Sequence, residues 1–216
     1  FIFKMIFSKL NSFDEALIRN IAKLPPNIFV FLINIRQLFL LRFSTRFYYS
    51  KKNKTFYSSE GSTRIYFFSK YRQVRLYSRG LKKRIKLLAQ DYFVESIPIR
   101  KGDNIIDCGA NIGEFYYALM TNSKNFNYFG FEPSPIEYEN LKLNTTLKNT
   151  YQIALSDISK KETFYLSPEE ADSSLIKPNS FYKSIKVITK RLDEIFKDKP
   201  IRLLKLEAEG AEIEVL

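Results

Sequence analysis

The chain has 216 residues with 35 Lys+Arg against 23 Asp+Glu, a formal net charge of +12, and a hydrophobic content of 45% that suffices for a packed core. It contains no histidine, which removes the usual general base, the usual zinc ligand and every Ser-His or Cys-His pairing, so no metal site is expected. The single cysteine, Cys108, excludes an internal disulfide framework and is compatible with a reducing cytoplasm.

The charge is segregated. Residues 1–100 hold 20 Lys+Arg and 5 Asp+Glu, whereas residues 101–216 hold 15 and 18. A basic region (1–100) therefore precedes a mildly acidic domain (101–216). Phe13, Ala16, Leu17 and Ile21 at helical spacing predict an amphipathic helix within residues 1–23, ended by Pro25-Pro26. Asn27 is placed to cap a second helix over about 28–43. That helix is apolar on nearly every face, so either protein or a membrane interface must cover it. Arg36 interrupts it, and it is shorter than the roughly 20 apolar residues a spanning helix needs.

Residues 42–62 read as a polar, tyrosine-rich linker, residues 64–68 as a strand, and residues 80–94 as an amphipathic helix with Leu81, Ile85, Leu88 and Tyr92 on one face. No acidic residue occurs from Arg64 to Lys86. This stretch is either a solvated basic face or a surface for phosphate-bearing partners, anionic lipid or a charged glycan. Nucleic acid is disfavoured because no recognised binding module is present.

After residue 102 strands and helices alternate, which predicts an α/β sheet with parallel strands. Strands are expected at 104–108, 127–131, 151–155, 163–166, 184–188 and 201–207. Helices are expected at 111–121, with a capping box from Asn111 to Glu114, at about 135–147, opened by Ser134, Pro135 and Glu137, and at 189–196; another begins after Gly210.

Three segments carry the chemistry. Asp107-Cys108-Gly109-Ala110-Asn111-Ile112-Gly113 joins a strand to a helix, where glycines permit close approach of backbone to a ligand. Its Gly-x-x-x-Gly spacing lacks the Gly-x-Gly-x-x-Gly pattern of a pyrophosphate site and disfavours an NAD-dependent oxidoreductase. Glu132, at the end of the next strand, is placed to accept both hydroxyls of a ribose. Leu204 to Glu212 forms a hydrophobic strand that delivers Glu207 and Glu209 to a glycine turn; in a doubly wound sheet it lies beside the first strand.

The phrases IIDCGANIGEF, FGFEPSPIEYENLKLN, ALSD, KRLDEIF and LLKLEAEGAEIEVL, in this order over about 103–216, resemble the FkbM-type methyltransferases. These are S-adenosylmethionine-dependent O-methyltransferases of glycan and natural-product pathways. The resemblance implies a Rossmann-like class I methyltransferase sheet, preceded here by a basic, mostly helical N-terminal region. It implies cofactor contacts at Asp107, Gly109, Ala110, Asn111, Gly113 and Glu132, with Ser156 and Asp157 near the adenine. The acceptor it implies is a hydroxyl on a sugar of a polysaccharide or glycolipid.

Methyl transfer from a sulfonium is an in-line displacement governed by positioning, and Glu207 or Glu209 is a candidate to take the hydroxyl proton or hydrogen-bond the acceptor. Equally, these carboxylates could cap the next helix and pair with lysines. The family usually has aspartate at Glu207 and valine at Ala208. Its fold also continues beyond the element at 212–216, so the sheet is expected to be incomplete at the C-terminus and the sequence to be a fragment, with an open hydrophobic edge on the last strand. A cytoplasmic protein is expected, with the basic region as a peripheral membrane contact. The competing reading is a non-catalytic binding module derived from such an enzyme.

Overall fold

The computed structural model describes residues 14–38, 44–123, 125–146, 149–167, 173–177, 179, 181–197 and 199–216. Contacts divide the chain into two units, Phe1–Arg84 and Ile85–Leu216. The division falls earlier than the change in charge near residue 100 because Leu88, Ala89 and Val94 pack into the core formed by Ile105, Phe115 and Leu119.

In the first unit, residues 14–22 are helical (α1) and bury Ile18 and Ile21, while Ala16 is exposed. The predicted face is thus rotated, and its member Phe13 lies outside the described residues. The second helix is α2 (Pro26–Arg36), and its N-cap is Pro25, not Asn27. Pro26 occupies the first turn, where an N–H has no intrahelical partner to lose. α2 buries Phe29, Ile33 and Arg36. The Arg36 guanidinium is paired with Asp14, its Nε lying 2.8 Å from one carboxylate oxygen. Residues 39–43 of the predicted helix lie outside the described residues.

The predicted linker over 42–62 is corrected by the structure to an antiparallel meander of β1 (Arg46–Ser50), β2 (Thr55–Glu60) and β3 (Thr63–Phe67). Phe47, Phe56, Ile65 and Phe67 are buried on one face. Tyr48, Tyr57 and Tyr66 stand in register on the other. The N-terminal region is therefore not simply helical. The outer edge of β1 is met by α2: the Asn34 side chain donates to the Phe47 carbonyl at 2.7 Å and accepts from the Phe47 N–H at 2.9 Å. α3 (Lys70–Tyr77), which the sequence reading missed, is capped by Ser69, whose hydroxyl accepts from the Arg72 N–H. The helix predicted over 80–94 is α4 (Leu81–Asp91).

The second unit contains β4 (Asn104–Cys108), α5 (Glu114–Leu119), β5 (Asn127–Phe131), α6 (Pro135–Thr145), β6 (Thr150–Tyr151), β7 (Ala154–Leu155), β8 (Lys161–Leu166), β9 (Lys183–Lys190), α7 (Leu192–Phe196), β10 (Leu203–Leu206) and α8 (Glu212–Val215). Its main sheet has the order β10-β4-β5-β6, all parallel. Both faces are covered, as parallel sheets require. Ile105, Tyr128 and Leu203 pack with Phe115, Leu119 and Leu141 on one side. Ile106, Cys108 and Phe131 pack with Phe196 and Val215 on the other.

Three boundaries differ from expectation. α5 starts at Glu114 with Gly113 as its cap, so residues 109–113 form a loop and Asn111 opens no capping box. The strand predicted over 151–155 is broken: β6 joins the main sheet, while β7 joins a second sheet of order β7-β9-β8. The helix predicted over 189–196 begins only at Leu192, because β9 extends to Lys190.

Candidate functional site

β4, β5 and β10 end together, and the loops that follow them carry most of the candidate residues. Parallel pairing sets Lys205 of β10 opposite Asp107 of β4, and Asp107 opposite Gly130 of β5. This register builds a buried polar cluster. Asp107 is fully buried, and its two carboxylate oxygens meet Lys205 Nζ at 3.0 Å and the Tyr128 hydroxyl at 2.5 Å. Tyr128 reaches Asp107 along its own strand because Gly130 leaves space: a Cβ there would lie 2.9 Å from Tyr128 Cε1. Burial first, and then the Asp107 charge, raise the Tyr128 hydroxyl well above the ordinary tyrosine range.

Lys205 ties the cluster to both loops. It is 8% exposed and donates to the Gly109 carbonyl at 2.8 Å and to Glu207 Oε2 at 2.9 Å. Burial works against its charge, but the Asp107 and Glu207 carboxylates outweigh burial and hold the ammonium above the usual lysine range. Glu207 is half-exposed, and its other oxygen accepts from the Tyr92 hydroxyl. Tyr92 comes from just beyond α4 and is fixed edge-on against Phe115 at 5.0 Å. Burial and this bond to Glu207 move the Tyr92 hydroxyl upward as well.

The loop after β4 is shaped by backbone demands. Gly109 has φ 70°, and an added Cβ would lie 1.9 Å from the Glu207 carbonyl oxygen, so only glycine fits between β4 and β10. The Gly109 and buried Ala110 N–H groups both donate to the Phe131 carbonyl, at 3.1 and 2.9 Å. Asn111 adopts φ 49° and its side chain accepts from the Ile112 N–H. Gly113 faces Leu141 so closely that a Cβ would come within 2.9 Å of Leu141 Cδ1.

Glu132 closes this loop. Its two oxygens accept from the Asn111 N–H at 2.7 Å and the Ser134 N–H at 2.9 Å, which joins the loops after β4 and β5. Burial chiefly, with the neighbouring Glu137 carboxylate, pushes its pKa up to about 8, against the pull of those two N–H groups and Lys205. Glu137 itself accepts from the Ser134 hydroxyl.

Asp107, Gly109, Ala110, Asn111, Gly113, Glu132 and Glu207 thus belong to one connected arrangement. Glu209 lies in the turn after β10 with φ 50°, its carbonyl accepting from Ser174 Oγ at 2.6 Å. Where the sequence offers Glu207 and Glu209 as caps, it is Glu212 that reaches back to accept from the Ala208 and Gly210 N–H groups at 2.8 and 3.0 Å, and Glu207 pairs with Lys205. Ser156 and Asp157 are placed elsewhere, lining a cleft of about 510 Å³ with Arg191, Phe196 and Val215. Ser156 Oγ donates to Asp157 at 3.1 Å. The sequence reading missed Tyr92, Tyr128 and Lys205. A lysine inside the apolar run Leu203–Leu206 was a signal, since a buried strand tolerates one only opposite a carboxylate.

A parallel sheet covered on both faces, with glycine-shaped loops and carboxylates at the strand ends, presents the strand-end crevice at which open α/β folds take their ligands. Residues 107–216 match the family model of the methyltransferase FkbM domain, and the chain belongs to that family of methyltransferases. No curated protein matches the chain.

Proposed function

We propose that residues 85–216 transfer a methyl group from S-adenosylmethionine to a hydroxyl oxygen, on a Rossmann-like class I sheet whose core is the order β10-β4-β5-β6. The observation that carries this reading is the convergence of the Gly109–Gly113 loop, the buried Glu132 carboxylate and the Glu207 carboxylate at adjoining strand ends.

The residues suit an adenosyl group that carries no phosphate. Glu132 offers each oxygen one further lone pair to a ribose diol while keeping its bonds to Asn111 and Ser134. Glycine at 109 and 113 lets this loop pack against the Glu207 carbonyl and Leu141, which holds its backbone beside Glu132 at the strand ends. Ser156 and Asp157, which the family resemblance sets near the adenine, line a different cleft, so the proposed cofactor site is built without them. When bound, the cofactor supplies an electrophilic methyl on a sulfonium. Asp107 holds Lys205, and Lys205 with Tyr92 fixes Glu207. Glu207 then orients the acceptor hydroxyl and receives its proton, with Glu209 on the same loop as the alternative acceptor. A sugar hydroxyl of a polysaccharide or glycolipid is the acceptor class that the resemblance to FkbM-type methyltransferases implies.

The test is transfer of isotope-labelled methyl from the cofactor to a panel of glycans and glycolipids by the full chain, with Glu207→Gln in parallel. Label in an alkali-stable methyl ether, reduced in the variant, supports the reading. Label on nitrogen, or none from protein that binds the cofactor, overturns it.

A further inference from the structure

The first unit exposes an apolar stripe that its own core does not use. Ile28, Phe31, Ile35 and Leu38 follow one another at helical spacing along α2 and its last turn, and Phe31 is 64% exposed. Beside them runs a groove of about 580 Å³, whose other wall is Tyr48, Tyr49 and Tyr57 with Arg46. Tyr48 and Tyr57 stack at 4.8 Å, and the Arg64 guanidinium lies 4.8 Å above the Tyr57 ring. The strand that walls the groove leads directly into the β1–β2 turn, where Lys51, Lys52 and Lys54 are all exposed.

We propose that this surface docks on an anionic lipid membrane. Its apolar stripe enters the headgroup–acyl boundary, and the tyrosines and lysines lie among the headgroups. Three observations select this occupant. Large aliphatic side chains at Ile28, Ile35 and Leu38 offer nothing to a sugar's hydroxyls but match acyl chains. Tyrosines beside them suit the interface, where one end of the ring is apolar and the other wet. The charge is complementary: residues 1–84 hold 18 Lys+Arg against 3 Asp+Glu. Among the described residues no helix is long and apolar enough to cross a membrane, so the mode is interfacial. The inference stands apart from the reaction run by residues 85–216.

The test is co-sedimentation of the full chain with vesicles of phosphatidylcholine plus phosphatidylserine and with vesicles of phosphatidylcholine alone. The protein is expected to bind the anionic vesicles and to be released by salt. Phe31→Ser with Ile35→Ser should weaken binding by about tenfold or more. Lys51→Gln, Lys52→Gln and Lys54→Gln together, all at exposed positions, should weaken it by about a hundredfold at low salt. No vesicle binding by the wild type, or binding unchanged in both variants, overturns the proposal. So does capture of an acidic polysaccharide, or a dimer broken by the stripe variant, in the absence of vesicle binding.

Discussion

Replacing Lys205 with methionine keeps an unbranched side chain of similar length but removes the charge that three elements share. Asp107 is then left fully buried with only the Tyr128 hydroxyl, and breaking a buried ion pair in this way costs about 3–5 kcal/mol. The lost bond to the Gly109 carbonyl, 2.8 Å long, adds about 1 kcal/mol, while the arm to the half-exposed Glu207 adds less than about 1 kcal/mol. The expected total is about 4–7 kcal/mol, confined to the unit that contains β4. Urea unfolding of the full chain, followed by far-ultraviolet circular dichroism and fitted with one transition per unit, measures it. Adding Asp107→Asn in the Lys205→Met background should restore about 2–3 kcal/mol, because the partner charge is removed with its counterion. A loss below about 1 kcal/mol, or no recovery in the double variant, would refute the view that this pair organises the strand ends.

Gly109→Ala should destabilise the same unit by about 2–4 kcal/mol, since the methyl meets the Glu207 backbone just after β10 and the left-handed φ disfavours a side chain; thermal melting reads this directly. Glu132 has a pKa of about 8 in the folded protein against 4.5 as its ordinary value, so between these limits the folded state holds a proton that the unfolded chain has lost. Its contribution to stability must therefore fall as pH rises, by at most about 1.4 kcal/mol per unit, and level off above pH 8; Glu132→Gln should flatten that slope. Glu207→Gln is expected to lower kcat by about tenfold to a thousandfold with little change in cofactor affinity, and Tyr92→Phe to lower it less, as steady-state kinetics with a competent acceptor would record.

The sequence disclosed the second unit far better than the first. From Asn104 onward, short apolar strands alternate with helices, and the segments around Gly109, Glu132 and Glu207 each mark a strand end. The adjacency of β10 and β4 followed from doubly wound topology alone. The meander of β1 to β3 was hidden because its outward residues are tyrosine and serine: Phe47-Tyr48, Phe56-Tyr57 and Tyr66-Phe67 read as aromatic clutter rather than as alternation. Asn111 misled for a related reason. Its spacing to Glu114 satisfies a capping box, but Gly113 takes the cap in a left-handed conformation that only the folded backbone reveals. Lys205, Tyr128 and Tyr92 were illegible as a group because their meeting depends on strand register and on the space over Gly130, which are tertiary facts.

In the proposed function the ends of β4 and β5 hold an adenosyl cofactor through Glu132. Calorimetric titration of S-adenosylhomocysteine into the full chain, at about pH 7 and about pH 9, tests it most directly. Ribose hydroxyls donate to the ionised carboxylate, so binding should be tighter at the higher pH, release protons near neutrality, and be lost in Glu132→Ala. Folded protein that binds no ligand, or a Glu132→Ala variant that binds as the wild type does, would contradict the account.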